Sequence, residues 1–168
     1  GDVVGISGCS KIMNNLLKQI EINKIDFVII NAENSDETGA GLTKEICEDF
    51  FNCGVNVITT GNHVWDQKEI MSYIEKENRL LRPHNLFEPS PGKGFEIYET
   101  SNNLKIGVLN LMGNVFMKKC EDVFETSKKF LKNYQLKEDY DLLIVDFHGE
   151  ITSEKNAIGH FFDGKATL

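Results

Sequence analysis

An α/β fold built on parallel βαβ units is predicted by three features of the sequence. Continuous apolar, β-branched runs at 26–31 (DFVIIN), 55–58 and 141–147 (DLLIVDF) read as strands buried on both faces. Segments with helical spacing or capping signals alternate with them, the pattern of parallel crossover units. Two further strand-like runs, 95–99 and 104–110, flank Ser101-Asn102-Asn103 and read as an antiparallel hairpin. A hairpin inserted between βαβ units requires a mixed sheet or a second sheet.

The elements follow in order. Residues 3–6 read as a strand. Residues 10–23 read as a helix, with Ile12, Leu16 and Ile20 on one face. After the strand at 26–31 comes a Gly-rich loop at 35–41. Thr43 is placed to cap a helix running to residue 53, and Gly54 to end it. Asp66 with Glu69 three residues on resembles a capping box opening a helix to about residue 75. A helix at 122–134 precedes the strand at 141–147, and Thr152-Ser153-Glu154 opens another. Phe162-Asp163-Gly164 reads as a turn into a final strand stub. The 168 residues fit a single domain, and 40% hydrophobic content supplies an ordinary core.

Charge and composition narrow the function. A net charge of −8 argues against a broad nucleic-acid-binding face, which needs clustered Lys and Arg. It leaves room for a small phosphorylated substrate, because bound dications reverse the local field. No apolar run approaches the roughly 20 residues of a bilayer span, so no membrane association is expected. No signal peptide opens the chain, although Gly1 in place of Met leaves a preceding or processed segment open. Cys9, Cys47, Cys53 and Cys120 contain no CxxC pair and read as reduced, buried thiols of a cytoplasmic protein.

The chemistry gathers after the strands. The strand at 26–31 leads into Glu33 and Asn34, and the strand at 55–58 into Asn62 and His63. The strand at 141–147 leads into His148, and Asp2 sits at the first strand. In parallel sheets such loops meet along one edge, which places these residues in one cleft. Each has a plainer reading: Glu33-Asn34 as a turn and cap, Asn62 as a turn residue, His148 as a satisfied core histidine. Together, carboxylate, amide oxygen and imidazole without thiolate suit divalent ions such as Mn, Fe or Zn in a hydrolytic site. Asp146, on a strand buried on both faces, is expected to point away from that site. His84 and His160 are expected to be structural or solvent-exposed.

At this point the sequence resembles the calcineurin-like metallophosphoesterase superfamily, and within it the bacterial YmdB-like family. The resemblance rests on GDVVG at 1–5, NAEN at 31–34, GNHVWD at 61–66, LLRP at 80–83, NLMG at 110–113, and DFHGE at 146–150 with TSEK at 152–155. It implies a four-layer α-β-β-α sandwich with mixed sheets. It also implies two metal ions, iron or manganese, and phosphodiesterase activity toward 2′,3′-cyclic nucleotides. Carried over, Asp2 binds the first metal, Glu33 bridges, Asn34 joins the ligands, and Asn62 and His148 bind the second metal. His63 resembles the proton donor to the leaving oxygen.

The family pattern also implies an apolar strand ahead of the GD pair and a Gly-Thr-His-Thr-His segment after a strand near Ala166. The sequence stops at Leu168, so on this reading two histidine ligands lie outside it and the chain as given is expected to be inactive. Open strand edges would favour association, leaving a homo-oligomer an open expectation. Ile6-Ser7-Gly8-Cys9 replaces a Pro-Gly-Arg-like turn, which leaves no Arg there to contact phosphate. Two rival functions remain open: a regulatory metal- or nucleotide-binding protein on the same scaffold, and a Rossmann-like domain. The second is disfavoured by the lack of a GxGxxG turn or Walker loop.

Overall fold

The structure, a computed structural model, describes residues 2–168. Strands β1 (Asp2–Val4), β2 (Ile29–Asn34), β3 (Val57–Thr59) and β4 (Leu80–Leu81) form a parallel sheet in that order. Strands β5 (Phe95–Glu99), β6 (Lys105–Met112) and β7 (Leu142–His148) form a mixed sheet, with β5–β6 antiparallel and β6–β7 parallel. The helices are α1 (Gly5–Asn23), α2 (Lys44–Asn52), α3 (Ile70–Ile74), α4 (Val123–Asn133) and α5 (Thr152–Phe162).

Side chains alternate between the two faces of a strand, so successive residues enter different layers. Ile58 and Leu80 pack outward against Cys9, Cys47, Phe50 and Ile70 of α1, α2 and α3. Their neighbours Val57 and Leu81 pack inward against Ile106 and Val108 of the second sheet. On β6 the alternation continues, with Leu109 and Leu111 facing Val123, Phe130, Ile158 and Phe162 of α4 and α5. The result is the expected α-β-β-α order, with one sheet-to-sheet core and one helix-covered core on each outer face.

Several elements differ from expectation for local reasons. Helix α1 begins at Gly5 rather than residue 10. Gly5 takes φ 58°, so β1 turns into the helix without an intervening loop. Strand β2 begins and ends three residues later than expected. The Val28 N–H is taken by the Asn56 side chain at 2.8 Å, and the ladder to β3 starts at Ile29–Val57. Pairing with β1 then carries β2 through Asn34, so Glu33 and Asn34 are strand residues rather than loop residues. The helix expected at 66–75 is reduced to Ile70–Ile74. Asp66 caps nothing, and Glu69 instead accepts a hydrogen bond from the Lys44 N–H at the start of α2, 2.7 Å away. The two-residue β4 has no counterpart in the sequence reading. Residues 167–168 run beside β7, with Thr167 N–H to Leu143 O at 2.8 Å and Val145 N–H to Leu168 O at 2.9 Å. The Thr43 hydroxyl caps α2 as expected, accepting from the Ile46 N–H at 3.2 Å.

Asp146 corrects the sequence reading. It lies on β7 two residues before His148 and therefore on the same strand face. Its carboxylate reaches the first sheet, accepting hydrogen bonds from the Thr59 hydroxyl and, at 3.2 Å, from the Asn31 amide. Asp146 thus joins the two sheets directly below the cleft. Asp146→Ala should leave those donors unpaired and lower unfolding stability by about 1–3 kcal/mol in urea titration. An unchanged midpoint and slope would show that the sheets do not depend on this contact.

Candidate metal centre

Glu33, near the end of β2, is 1% exposed. A carboxylate so buried requires donors or cations. Its Oε1 accepts from Asn34 Nδ2 at 3.2 Å and lies 2.9 Å from His148 Nε2, while its Oε2 accepts from the His63 N–H at 3.2 Å. The donors come from both sheets: His148 ends β7, whereas Asn62 and His63 follow β3.

Asp2 enters from β1, where it lies level with Asn31 of β2. Its Oδ2 accepts from Asn34 Nδ2 at 3.2 Å, and its Oδ1 lies 4.0 Å from His148 Nδ1. Asn62 Oδ1 is 3.0 Å from His148 Nε2. Among the described residues, Asp2, Glu33 and His148 each offer a ligand atom, all within 4.8 Å of one another. Asp2, Glu33, Asn34, Asn62 and His148 therefore lie together in one cluster. Asn34 presents its amide nitrogen to the carboxylates, and a half-turn of the amide would present oxygen instead.

Two features suit this cluster to a cation. The first is space. A Cβ on Gly61 would stand 2.2 Å from Glu33 Oε2 and 2.4 Å from His148 Cδ2, so only glycine lets this loop pass the cluster. The second is field. Burial, the largest influence on the His148 imidazole, lowers its pKa. The Glu33 hydrogen bond and the charges of Glu33, Asp2 and Asp146 together outweigh it, and the pKa is raised. The pocket thus favours positive charge where the donors converge. Oxygen and imidazole donors of this kind fit manganese, iron or zinc.

His63 meets the cluster through its backbone N–H, while its ring is held by Asp66. Nδ1 is 2.6 Å from Asp66 Oδ2, and Asp66 Oδ1 accepts from Lys118 Nζ at 3.1 Å. The His63 bond, ahead of the Lys118 contacts, holds the Asp66 carboxyl below its usual range against a smaller opposing effect of burial. The sequence reading gave Asp66 to a helix start and missed this role. The i, i+3 spacing of His63 and Asp66 in a turn was the available signal. His84 packs edge-on against Phe130 and His160 is exposed on α5, and neither joins the cluster. Cys9, Cys47 and Cys53 are buried free thiols, and Cys120 is half-buried. No helix among the described residues is long and apolar enough to cross a membrane.

Comparison with known proteins agrees with this architecture. A family model for YmdB-like proteins matches residues 1–168. The chain is 38% identical over 167 residues to a Bacillus subtilis protein named 2′,3′-cyclic-nucleotide 2′-phosphodiesterase, covering 99% of this chain and 62% of the relative. A crystal structure of a hypothetical protein from Thermus thermophilus superposes with TM-score 0.89 at 33% identity, covering 99% of this chain and 63% of that one. A Mycoplasma pneumoniae crystal structure described as a novel phosphatase gives TM-score 0.88 at 39% identity, covering 99% and 59%. The chain thus spans about three fifths of each relative's length.

Gly61→Ala should force Glu33 and His148 apart. Overpacking of this kind costs about 1–3 kcal/mol, readable as a lowered urea midpoint, and manganese affinity should fall with it. Wild-type stability and manganese affinity in this variant would show that the loop does not shape the cluster.

Proposed function

The chain belongs to the YmdB-like family, and on that premise we propose that it forms a single metallophosphoesterase domain acting as a metal-dependent phosphodiesterase. The observation that carries the proposal is the convergence of Asp2, Asn34, Asn62 and His148 on the buried Glu33, in a pocket that favours positive charge. Asp2 would hold one ion, Asn62 and His148 a second, and Glu33 would serve both, with Asn34 beside them. Iron or manganese suits the donor set. When bound, such a pair supplies a water of lowered pKa and a clamp for phosphoryl oxygens.

The chain's own groups carry the proton chemistry. Asp66 fixes His63 by Nδ1, which leaves Nε2 without a protein partner among the described residues. Nε2 is therefore the atom that protonates the leaving oxygen, a contribution of about 10²–10⁴-fold. Lys118 holds Asp66 from the other side and keeps its second oxygen from turning to His63. The substrate is a small phosphodiester. The name of the Bacillus subtilis relative supports a 2′,3′-cyclic nucleotide.

The test is hydrolysis of bis(p-nitrophenyl) phosphate by the manganese-loaded protein in its full-length form, abolished by a chelator. Glu33→Ala should lose metal and turnover together. Full metal content in that variant would remove Glu33 from the ligand set. His63→Ala should cut turnover about 10²–10⁴-fold with metal content unchanged, and less for a good leaving group, which needs little protonation. Equal losses for good and poor leaving groups would end the proton-donor assignment. Asp66→Asn should show the same leaving-group dependence in milder form, about 10–100-fold. Tight metal and nucleotide binding without turnover would identify instead a binding protein on this scaffold.

A further inference from the structure

A cavity of about 220 Å³ opens beside the candidate centre and shares Gly61 and Asn62 with it. The remaining wall combines two kinds of side chain. Trp65, Phe87 and Met112 supply apolar and aromatic surface, and Lys118 and Lys119 supply positive charge. Cations here stand out in a chain of net charge −8. Lys118 is paired with Asp66 at 3.1 Å, and no contact joins either lysine to the neighbouring cluster of acidic and amide groups among the described residues.

The walls are held from behind. Trp65 packs onto the core beneath the first sheet. The segment bearing Phe87 is tied down by Arg82, 4% exposed, whose guanidinium donates to Pro83 O at 3.0 Å, Pro91 O at 3.1 Å and Glu88 Oε1 at 2.6 Å. The loop bearing Lys118 and Lys119 is fixed at its base. Asn114 N–H donates to the buried Glu154 at 2.8 Å, and Asn85 Nδ2 donates to Glu121 O at 3.0 Å and Met112 O at 2.8 Å. Phe87 nevertheless remains 54% exposed, a large apolar side chain kept at the mouth of the cavity.

The geometry points to this cavity as the subsite for the nucleobase of a nucleotide substrate, stacked against Trp65 and Phe87, with Lys118 and Lys119 facing its phosphate. The inference rests on the reading of the centre as a phosphodiesterase site and names the residues that would seat the base of its substrate. Three features select this occupant. Aromatic faces accept any base by stacking. Lysines complement an anion attached to that base. The volume, below the about 300–1,000 Å³ of typical ligand pockets, admits one ring system rather than a stretch of polymer.

Trp65 is the only tryptophan, so its emission reports on the cavity alone. Adenosine 3′-monophosphate, titrated into manganese-loaded protein with excitation at the red edge of the indole band, should quench that emission saturably. Ribose 5-phosphate, which lacks the base, should not. Phe87→Ala should weaken the nucleotide by about 5- to 150-fold, the equivalent of one lost stacking partner. Because Phe87 is largely exposed, its truncation spares the fold, which circular dichroism checks. Lys119→Ala provides a second variant and should weaken binding and flatten its salt dependence. Absence of quenching, equal quenching by ribose 5-phosphate or phenyl phosphate, or an unchanged Kd in Phe87→Ala would each overturn the assignment. Hydrolysis of bis(p-nitrophenyl) phosphate reads the centre separately. Hydrolysis without quenching sinks the subsite alone. Quenching without hydrolysis keeps the subsite and sinks the catalytic reading.

Discussion

Taking a carboxylate out of water costs several kcal/mol unless donors or cations meet its oxygens, and Glu33 is met on every side. Asn34, His148 and the His63 N–H approach it from β2, from β7 and from the loop after β3. These donors belong to different sheets, so the charge is offset only when both sheets are in place. Gly61 follows from the same requirement: the loop that brings the His63 N–H must pass within 2.2 Å, at its missing Cβ, of Glu33 Oε2. Neutral amides and one imidazole are weak compensation for Glu33 and Asp2 together. A cation would complete it, which is why the arrangement reads as a binding site rather than as a structural network.

The position of one sheet against the other therefore sets the geometry of the centre. Val57 and Leu81 against Ile106 and Val108 fix the separation of the sheets but not their sliding, because apolar contacts are non-directional. Asp146 supplies the direction. It meets Asn31 and Thr59 on the opposing sheet, and it stands two residues from His148 on the same strand face. A slip of β7 by one residue would remove both Asp146 from its donors and His148 from Glu33. The polar contact below the cleft and His148 within it are thus aligned by one strand.

Much of this was legible in the sequence because continuous apolar runs announce strands buried on both faces. DFVIIN and DLLIVDF located β2 and β7, and the polar residues after them, Glu33, Asn34 and His148, are the ones that cluster. The errors have physical causes. Asp26–Phe27–Val28 has strand composition, but Asn56 takes the Val28 N–H, and nothing in the local pattern reveals a side chain that distant. β4 is two residues paired with β3 and bridged to Lys93, too short for any periodicity. Asp146 was read as facing away because a strand buried on both faces gives no parity signal. Only the register with β6, Asn110–Asp146 and Met112–His148, puts it beside the cleft. Asp66 fitted a capping box by spacing, yet the acceptor it offered was claimed by His63 and Lys118, a contact 52 residues away in sequence.

The contact between Asp66 and Lys118 links His63 to the cavity wall. Lys118 lies between two anions in the proposed complex: the Asp66 carboxylate, which it meets at 3.1 Å, and the substrate phosphate. An ammonium has three donors on a flexible stem, so it can bond both at once, which a planar guanidinium would do only in a fixed geometry. Sharing Lys118 with a phosphate would loosen its hold on Asp66 and leave the His63–Asp66 bond, at 2.6 Å, as the contact that fixes the ring. The effect on Asp66 is modest, because Lys118 is 58% exposed and water screens both contacts.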